Sequence, residues 1–275
     1  MTMTTSEPVT PDRPGTGPPD TTIAVDGEPT VVRRAGTGRA VLYLHGAFAP
    51  TRWTRFHDAM AERFDLVAPL HPGYVEGHPP DWLRSFEDLV LHYRSLLDVL
   101  ELDRVDLVGY DLGGWIGAQL AVHHPERIAS FTVVAATGLR LPESPPMEFL
   151  AADPRAVEQA FFGGPAGEHT GLFADARDIE AFTNAYGENA VTARLIWERH
   201  YDVTLDRRVP RIAVPSLVVS PDDDLVVPLA HAERWAELLP DSRLVTLDGV
   251  GHALLLQAPD RVADTIGSFI EEVAG

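Results

Sequence analysis

The sequence predicts an α/β fold, a mostly parallel eight-stranded sheet with helices on both faces and an inserted helical cap. Three observations carry that expectation. Short runs of Val, Ile and Leu alternate with amphipathic stretches from about residue 22 onward. A buried-type strand at 105–109 runs directly into a glycine-rich helix start, and the strand rhythm stops between Gly138 and about Arg208. The predicted strands are Thr22–Val25, Thr30–Arg33, Ala40–Leu44, Leu66–Pro69, Val105–Gly109, Ile128–Ala135, Ser216–Ser220 and Arg243–Leu247. The clearest helix is Ser85–Leu100, where Phe86, Leu89, Val90, Tyr93, Leu96, Leu97 and Leu100 recur at three- and four-residue spacing. Further helices are expected at Arg52–Arg63, Leu112–His124, Pro228–Leu239 and Asp260–Val273.

Domain organisation follows from the interruptions. Residues 1–20 are rich in Thr, Pro, Gly and Asp and read as a disordered tail. Residues 21–137 and 209–275 then form the core. The excursion at 138–208 is too long for a plain loop and reads as a cap over the strand ends, where open α/β sheets bind ligands.

Composition removes several function classes. The 22 basic residues are all Arg, so Schiff-base, phosphate-loop and pyridoxal-phosphate lysines are absent. Set against 41 Asp and Glu they leave a net charge of −19, which repels phosphate backbones and anionic lipids, so neither nucleic acid nor membrane is an expected partner. With no cysteine there is no disulfide framework, thiolate nucleophile or zinc–cysteine site. No signal-peptide core or spanning segment is visible, and a cytoplasmic location is expected.

The chemistry concentrates at strand ends. Val105-Asp-Leu-Val-Gly-Tyr-Asp-Leu-Gly-Gly-Trp-Ile-Gly has the layout of a nucleophile elbow, with Asp111 at its apex where an esterase would have Ser. Asp222, Asp223 and Asp224 follow the seventh strand, and Gly251-His252 follows the last. Together with His45-Gly46 after the third strand, these motifs make residues 22–275 resemble an α/β-hydrolase-fold protein, whose order is nucleophile, acid, histidine. The stretches Arg194-Leu-Ile-Trp-Glu-Arg-His-Tyr and Arg211-Ile-Ala-Val-Pro-Ser-Leu resemble the branch of meta-cleavage-product hydrolases, from which the Asp at the elbow departs.

What the resemblance implies is a hydrolase with Asp111, His252 and Asp224 as catalytic residues. A carboxylate with an ordinary pKa of about 3.9 is ionised without a base. It is suited to sp³ carbon, so the elbow resembles those of epoxide hydrolases and haloalkane dehalogenases, in which an alkyl ester forms and His252 activates water to hydrolyse it. The main-chain N–H groups of Ala47 and Leu112 would form the oxyanion pocket. Ala47 and Leu112 offer no side-chain donor for a halide, whereas the cap tyrosines Tyr186 and Tyr201 could protonate an epoxide oxygen, so epoxide opening is favoured over dehalogenation. Asp224 is preferred to Asp223 as the acid because Pro228 follows it at the family's usual spacing. A nonhydrolytic lyase or cyclase, or a noncatalytic binding protein in which Asp111 merely tolerates a strained apex, remain alternatives.

A small apolar or aromatic substrate is expected, with Phe48, Trp53, Leu139, Tyr186, Trp197 and Tyr201 as pocket residues. Trp115 reads as core, and Met147 and Phe161 are further lining candidates. His45 reads as structural, and His123-His124 as closing a helix. No histidine pair has metal-ligand spacing with a third ligand, so no metal and no cofactor are expected. Cap-to-cap or helix-edge homodimers are compatible with the fold.

Overall fold

The computed structural model describes residues 17–47, 52–74, 78–164, 179–197 and 199–275, with only the backbone for 179–186. Eight strands form one sheet: β1 (Thr21–Val25), β2 (Glu28–Ala35), β3 (Ala40–Leu44), β4 (Asp65–Pro69), β5 (Val105–Tyr110), β6 (Ile128–Val134), β7 (Ser216–Pro221) and β8 (Ser242–Leu247). Their order is β1-β2-β4-β3-β5-β6-β7-β8. The β1·β2 and β2·β4 pairings are antiparallel, and the others from β4 to β8 are parallel. After β3 the chain steps outward to β4 and returns to place β5 on the other flank of β3, so the strand order reverses between β3 and β5. The crevice beyond their carboxyl ends is where such a sheet receives a ligand.

The helices among the described residues are α1 (Arg55–Ala61), α2 (Phe86–Val99), α3 (Leu112–His123), α4 (Pro154–Phe162), α5 (Ile179–Ile196), α6 (Leu205–Arg208), α7 (Leu229–Leu238), α8 (Leu254–Gln257) and α9 (Pro259–Ala274). Alternation along the strands makes two cores. Leu42, Leu44 and Leu107 pack with α2, α3 and Trp235 of α7 on one face, whereas Val41, Tyr43 and Val108 pack with α1 and α9 on the other. Helix α1 begins three residues later than the sequence reading because Thr54 caps it, its N–H donating to His57 Nδ1 at 3.1 Å. Ser85 caps α2 in a reciprocal exchange with Asp88, which starts that helix one residue inside the expected span.

The cap is inserted after β6 and carries α4 and α5. Its entry and exit lie side by side: Gly138 bridges Tyr201, and the Asp202 N–H donates to the Gly138 carbonyl at 2.8 Å. Asp202 also accepts from Gln119 Nε2 of α3 at 2.7 Å, tying the cap's exit to the core. Residues 1–16 of the expected tail lie outside the described residues. Its last described part lies against the core, with Asp20 accepting from Arg33 Nε at 2.5 Å. Among the described residues no helix is long and apolar enough to cross a membrane.

Candidate active site

The loops that follow β3, β5, β7 and β8 supply the chemically active groups. Asp111 stands alone between β5 and α3 with φ 50° and ψ −114°, a conformation that strains any residue with a Cβ. Close packing enforces it. A Cβ at Gly113 would come within 2.0 Å of the Leu44 carbonyl oxygen, so only glycine lets α3 start against the end of β3. Gly46 is needed for a different reason, since its Cβ would come 2.9 Å from the Asp111 carboxyl oxygen.

That carboxyl group is held by main-chain donors. The Ala47 N–H donates to Asp111 Oδ2 at 2.9 Å, and the Leu112 N–H also bonds to the side chain. The pair expected as an oxyanion pocket is therefore engaged by the protein's own carboxyl group. Asp111 is buried, and the loss of solvation raises its pKa despite the nearby His252 charge and the two N–H donors.

His252 is fully buried and donates through Nδ1 to Asp224 Oδ2 at 2.8 Å. The other Asp224 oxygen accepts from the N–H groups of Val226 and Val227 at 2.8 and 2.9 Å. Asp222 and Asp223 are exposed, so of the three consecutive acids the fold delivers Asp224 to the histidine. Burial by itself would lower the His252 pKa, but the charge and hydrogen bond of Asp224, with the charge of Asp111, outweigh it and raise the value. With Nδ1 committed, His252 Nε2 is left buried and, among the described residues, without a partner. The ring is wedged edge-on against Phe161 of α4 at 4.8 Å, while the Ala253 N–H donates to the Phe161 carbonyl. Gln257 reinforces this seam, accepting from the Gly251 N–H and donating to the Phe162 carbonyl.

The histidine after β3 is structural. His45 accepts through Nε2 from the His71 N–H at 3.0 Å, and its ring stacks on that of His71. His123 Nδ1 bonds to the Gln119 carbonyl one turn back, at the end of α3.

A pocket opens beside Asp111. It is lined by Ala47, Leu112, Trp115, Thr137, Pro146, Met147, Phe149, Ile196 and His200. The lining proposed from sequence is largely displaced. Trp197 is 75% exposed: Ile196 faces inward at the end of α5, and the next residue of a helical path points about 100° away. Trp53 lines a separate cavity with Tyr43, His45 and His57, its indole N–H donating to Asp58 at 2.6 Å. Leu139 is consumed by core packing, and Tyr201 lies at the cap's exit with the Arg140 guanidinium over its ring. Phe48 and the side chain of Tyr186 lie outside the described residues. Thr137, Ile196 and His200, not among the expected pocket residues, line the pocket, and Trp115 reaches it from the core to which it belongs as expected; periodicity alone could not reveal which cap residues turn inward.

A sequence model of the alpha/beta hydrolase family matches residues 41–265. The chain belongs to that family. A Mycobacterium tuberculosis protein described as uncharacterized is 26% identical to this hydrolase over 271 residues, covering 90% of this chain and 80% of the relative. The 2-hydroxy-6-oxo-6-(2'-aminophenyl)hexa-2,4-dienoic acid hydrolase of Metapseudomonas resinovorans is 25% identical over 266 residues, 92% of this chain and 91% of the relative. A solved structure described as a serine hydrolase involved in carbazole degradation superposes with a TM-score of 0.74 at 23% identity, over 92% of this chain and 98% of that one. Other matched structures are described as meta-cleavage product hydrolases and a naproxen esterase.

These likenesses correct the reading drawn from the elbow. The proteins matched above are described as meta-cleavage-product hydrolases, serine hydrolases and esterases, which overturns the epoxide-hydrolase or haloalkane-dehalogenase reading that an Asp-His-Asp triad implied. The apex residue speaks for one strained position, whereas the likeness to the hydrolase relatives extends over nearly the whole chain. Among the described residues no group of three His, Cys, Asp or Glu is placed to hold a metal ion.

Proposed function

We propose that this hydrolase acts without a cofactor on a small apolar or aromatic molecule with an electrophilic carbonyl carbon, as its meta-cleavage-product-hydrolase and esterase relatives suggest. The observation that carries the reading is the Asp111 carboxyl seated on the Ala47 and Leu112 N–H groups beside a buried histidine whose Nε2 has no partner among the described residues. Asp111 then supplies a proton rather than a covalent bond. Burial raises its pKa, and in the protonated form one oxygen accepts from the main chain and the hydroxyl donates to the substrate carbonyl oxygen.

Water attacks the carbonyl carbon as His252 Nε2 takes one of its protons and Asp111 gives its own to the carbonyl oxygen, forming a neutral tetrahedral adduct. Collapse returns the hydroxyl proton to Asp111, the bond to the leaving group breaks, and the leaving group takes the proton from His252. Asp224 keeps the imidazole in the required tautomer throughout.

The test is a panel of activated aryl esters with intact mass spectrometry. The wild type turns over with no covalent adduct, His252→Ala loses turnover, and Asp111→Ser frees the two N–H groups and accumulates an acyl-enzyme. A covalent adduct on the wild type, or inactivity of both wild type and Asp111→Ser, would overturn the reading.

A further inference from the structure

The loop that carries His252 is held on two sides. From the core, the Tyr110 hydroxyl of β5 donates to the His252 carbonyl at 2.9 Å. From the cap, the end of α4 closes on the same loop. A helix leaves its last four carbonyls without intrahelical partners. In α4 the left-handed residue Gly163, with φ 65°, provides for two of them, as the N–H groups of Gly163 and Gly164 donate to the carbonyls of Ala160 and Gln159. The histidine loop provides for the other two: the Phe161 carbonyl accepts from the Ala253 N–H at 2.7 Å, and the Phe162 carbonyl from Gln257 Nε2 at 3.1 Å. Glycine at 251 permits this approach, since a Cβ there would lie 2.6 Å from the Gly163 nitrogen.

Gln257 spans the seam. Its Oε1 accepts from the Gly251 N–H at 2.8 Å while Nε2 donates to the Phe162 carbonyl, so both halves of the amide are used and its orientation is fixed by partners that can act in only one sense. We propose that Gln257 is a positioning residue for the reaction: it fastens cap helix α4 to the loop carrying His252, so that the imidazole keeps its catalytic orientation only while the cap is docked. The inference rests on the reading that His252 is the base. Among the described residues α4 contributes none of the pocket lining, so the seam governs the base and not the space that the substrate occupies.

Steady-state kinetics on one activated aryl ester and amide hydrogen exchange by NMR, on the wild type, Gln257→Met, Gln257→Glu and Ser130→Ala, test the seam. Gln257→Met loses both bonds, and an ionised Gln257→Glu still accepts from Gly251 but cannot donate to Phe162. Both lower kcat about tenfold or more with KM within about twofold of the wild type, because the base is misplaced and the pocket is not. Both also speed exchange of the Ala253 amide about tenfold, as its bond to α4 opens more often. Ser130→Ala, which loses a buried hydrogen bond to Asp106 near the start of β5, is the control for lost stability and keeps the wild-type kcat. A Gln257→Met kcat within about twofold of the wild type, full activity of Gln257→Glu, an equal loss in Ser130→Ala, or unchanged Ala253 exchange overturns the proposal. Exchange is read without turnover. Failure of the hydrolytic reading therefore appears as missing ester turnover in the wild type, with Ala253 exchange still deciding the seam, and failure of the seam as unchanged exchange in an active enzyme.

Discussion

His71 and His45 hold each other through backbone and ring together: the His71 N–H donates to His45 Nε2 at 3.0 Å, and His71 Nε2 donates back to the His45 carbonyl at 2.9 Å. The remaining partners settle both tautomers. His45 Nδ1 donates to the Gly46 carbonyl, and His71 Nδ1 accepts from the Tyr93 hydroxyl of α2. This pair fixes the loop whose next residue, Ala47, donates to Asp111.

Removing that brace should therefore reach the reaction centre from a distance. Tyr93→Phe is expected to cost about 1 kcal/mol of stability as one buried hydrogen bond is lost. His71→Ala should cost about 3 kcal/mol and lower kcat far more than it raises KM, because the Ala47 N–H is displaced while the rest of the pocket lining stays in place. Urea unfolding and steady-state kinetics on one ester check both, and an unaltered kcat in His71→Ala would refute the bracing role.

Acid should destabilise the protein earlier than its carboxylates alone would. Burial lowers the pKa of His45 to about 4 and of His57 to about 3, and holds that of His71 well below its ordinary value. In the unfolded chain these imidazoles titrate near the usual 6.5, so the unfolded state binds more protons as pH falls from there. Their stabilising contribution is complete above pH 6.5 and is lost progressively down through the folded-state values, by about 1.4 kcal/mol per pH unit for each imidazole. Unfolding midpoints at pH 7.5, 6 and 5 should fall in that order, and a flat profile across this range would contradict it.

Asp224→Asn should keep the loop, since an amide oxygen can still accept from Val226 and Val227. Facing an amide N–H, however, the His252 ring would carry its proton on Nε2 and cease to be a base there. Turnover is expected to drop roughly a thousandfold or more, with KM nearly unchanged. The exposed Asp223→Asn is the matched control and should retain wild-type rates.

Asp111→Asn separates charge from shape. Removing one of the two carboxylates that raise the His252 pKa should lower that pKa, read from the imidazole proton shifts by NMR. The Asp111 pKa is itself raised, so ionising it in the folded state is unfavourable above its unfolded value near 3.8. The variant should show a higher Tm than the wild type at pH 8, and the difference should narrow as pH falls toward that value. A lower Tm at pH 8 would show that the carboxylate stabilises the fold.

Much of this architecture is written in local sequence. All eight strands appear as aliphatic runs, and the β5–α3 elbow is recognisable from Gly109, Gly113 and Gly114 around one apex. The cap was visible only as an interruption of rhythm. Its inward residues were misassigned at Trp197 and Tyr201 and overlooked at Ile196 and His200, because short helices with mixed polarity do not announce which face meets the core. The chemistry is hidden for a related reason: the reactivity of Asp111 points to sp³ carbon, whereas the wider chain resembles hydrolases of another kind.

By itself, then, the sequence determined the layered α/β fold, the order of the four motif loops and the presence of Asp111, Asp224 and His252, because hydrophobic period and glycine placement act over a few residues. Only the tertiary structure decided that Asp224 rather than Asp223 reaches His252, that Asp111 occupies the Ala47 and Leu112 N–H groups, and that Trp115 and His200 share a pocket. Those relationships join residues dozens of positions apart. They depend on ångström-scale packing that no local pattern encodes.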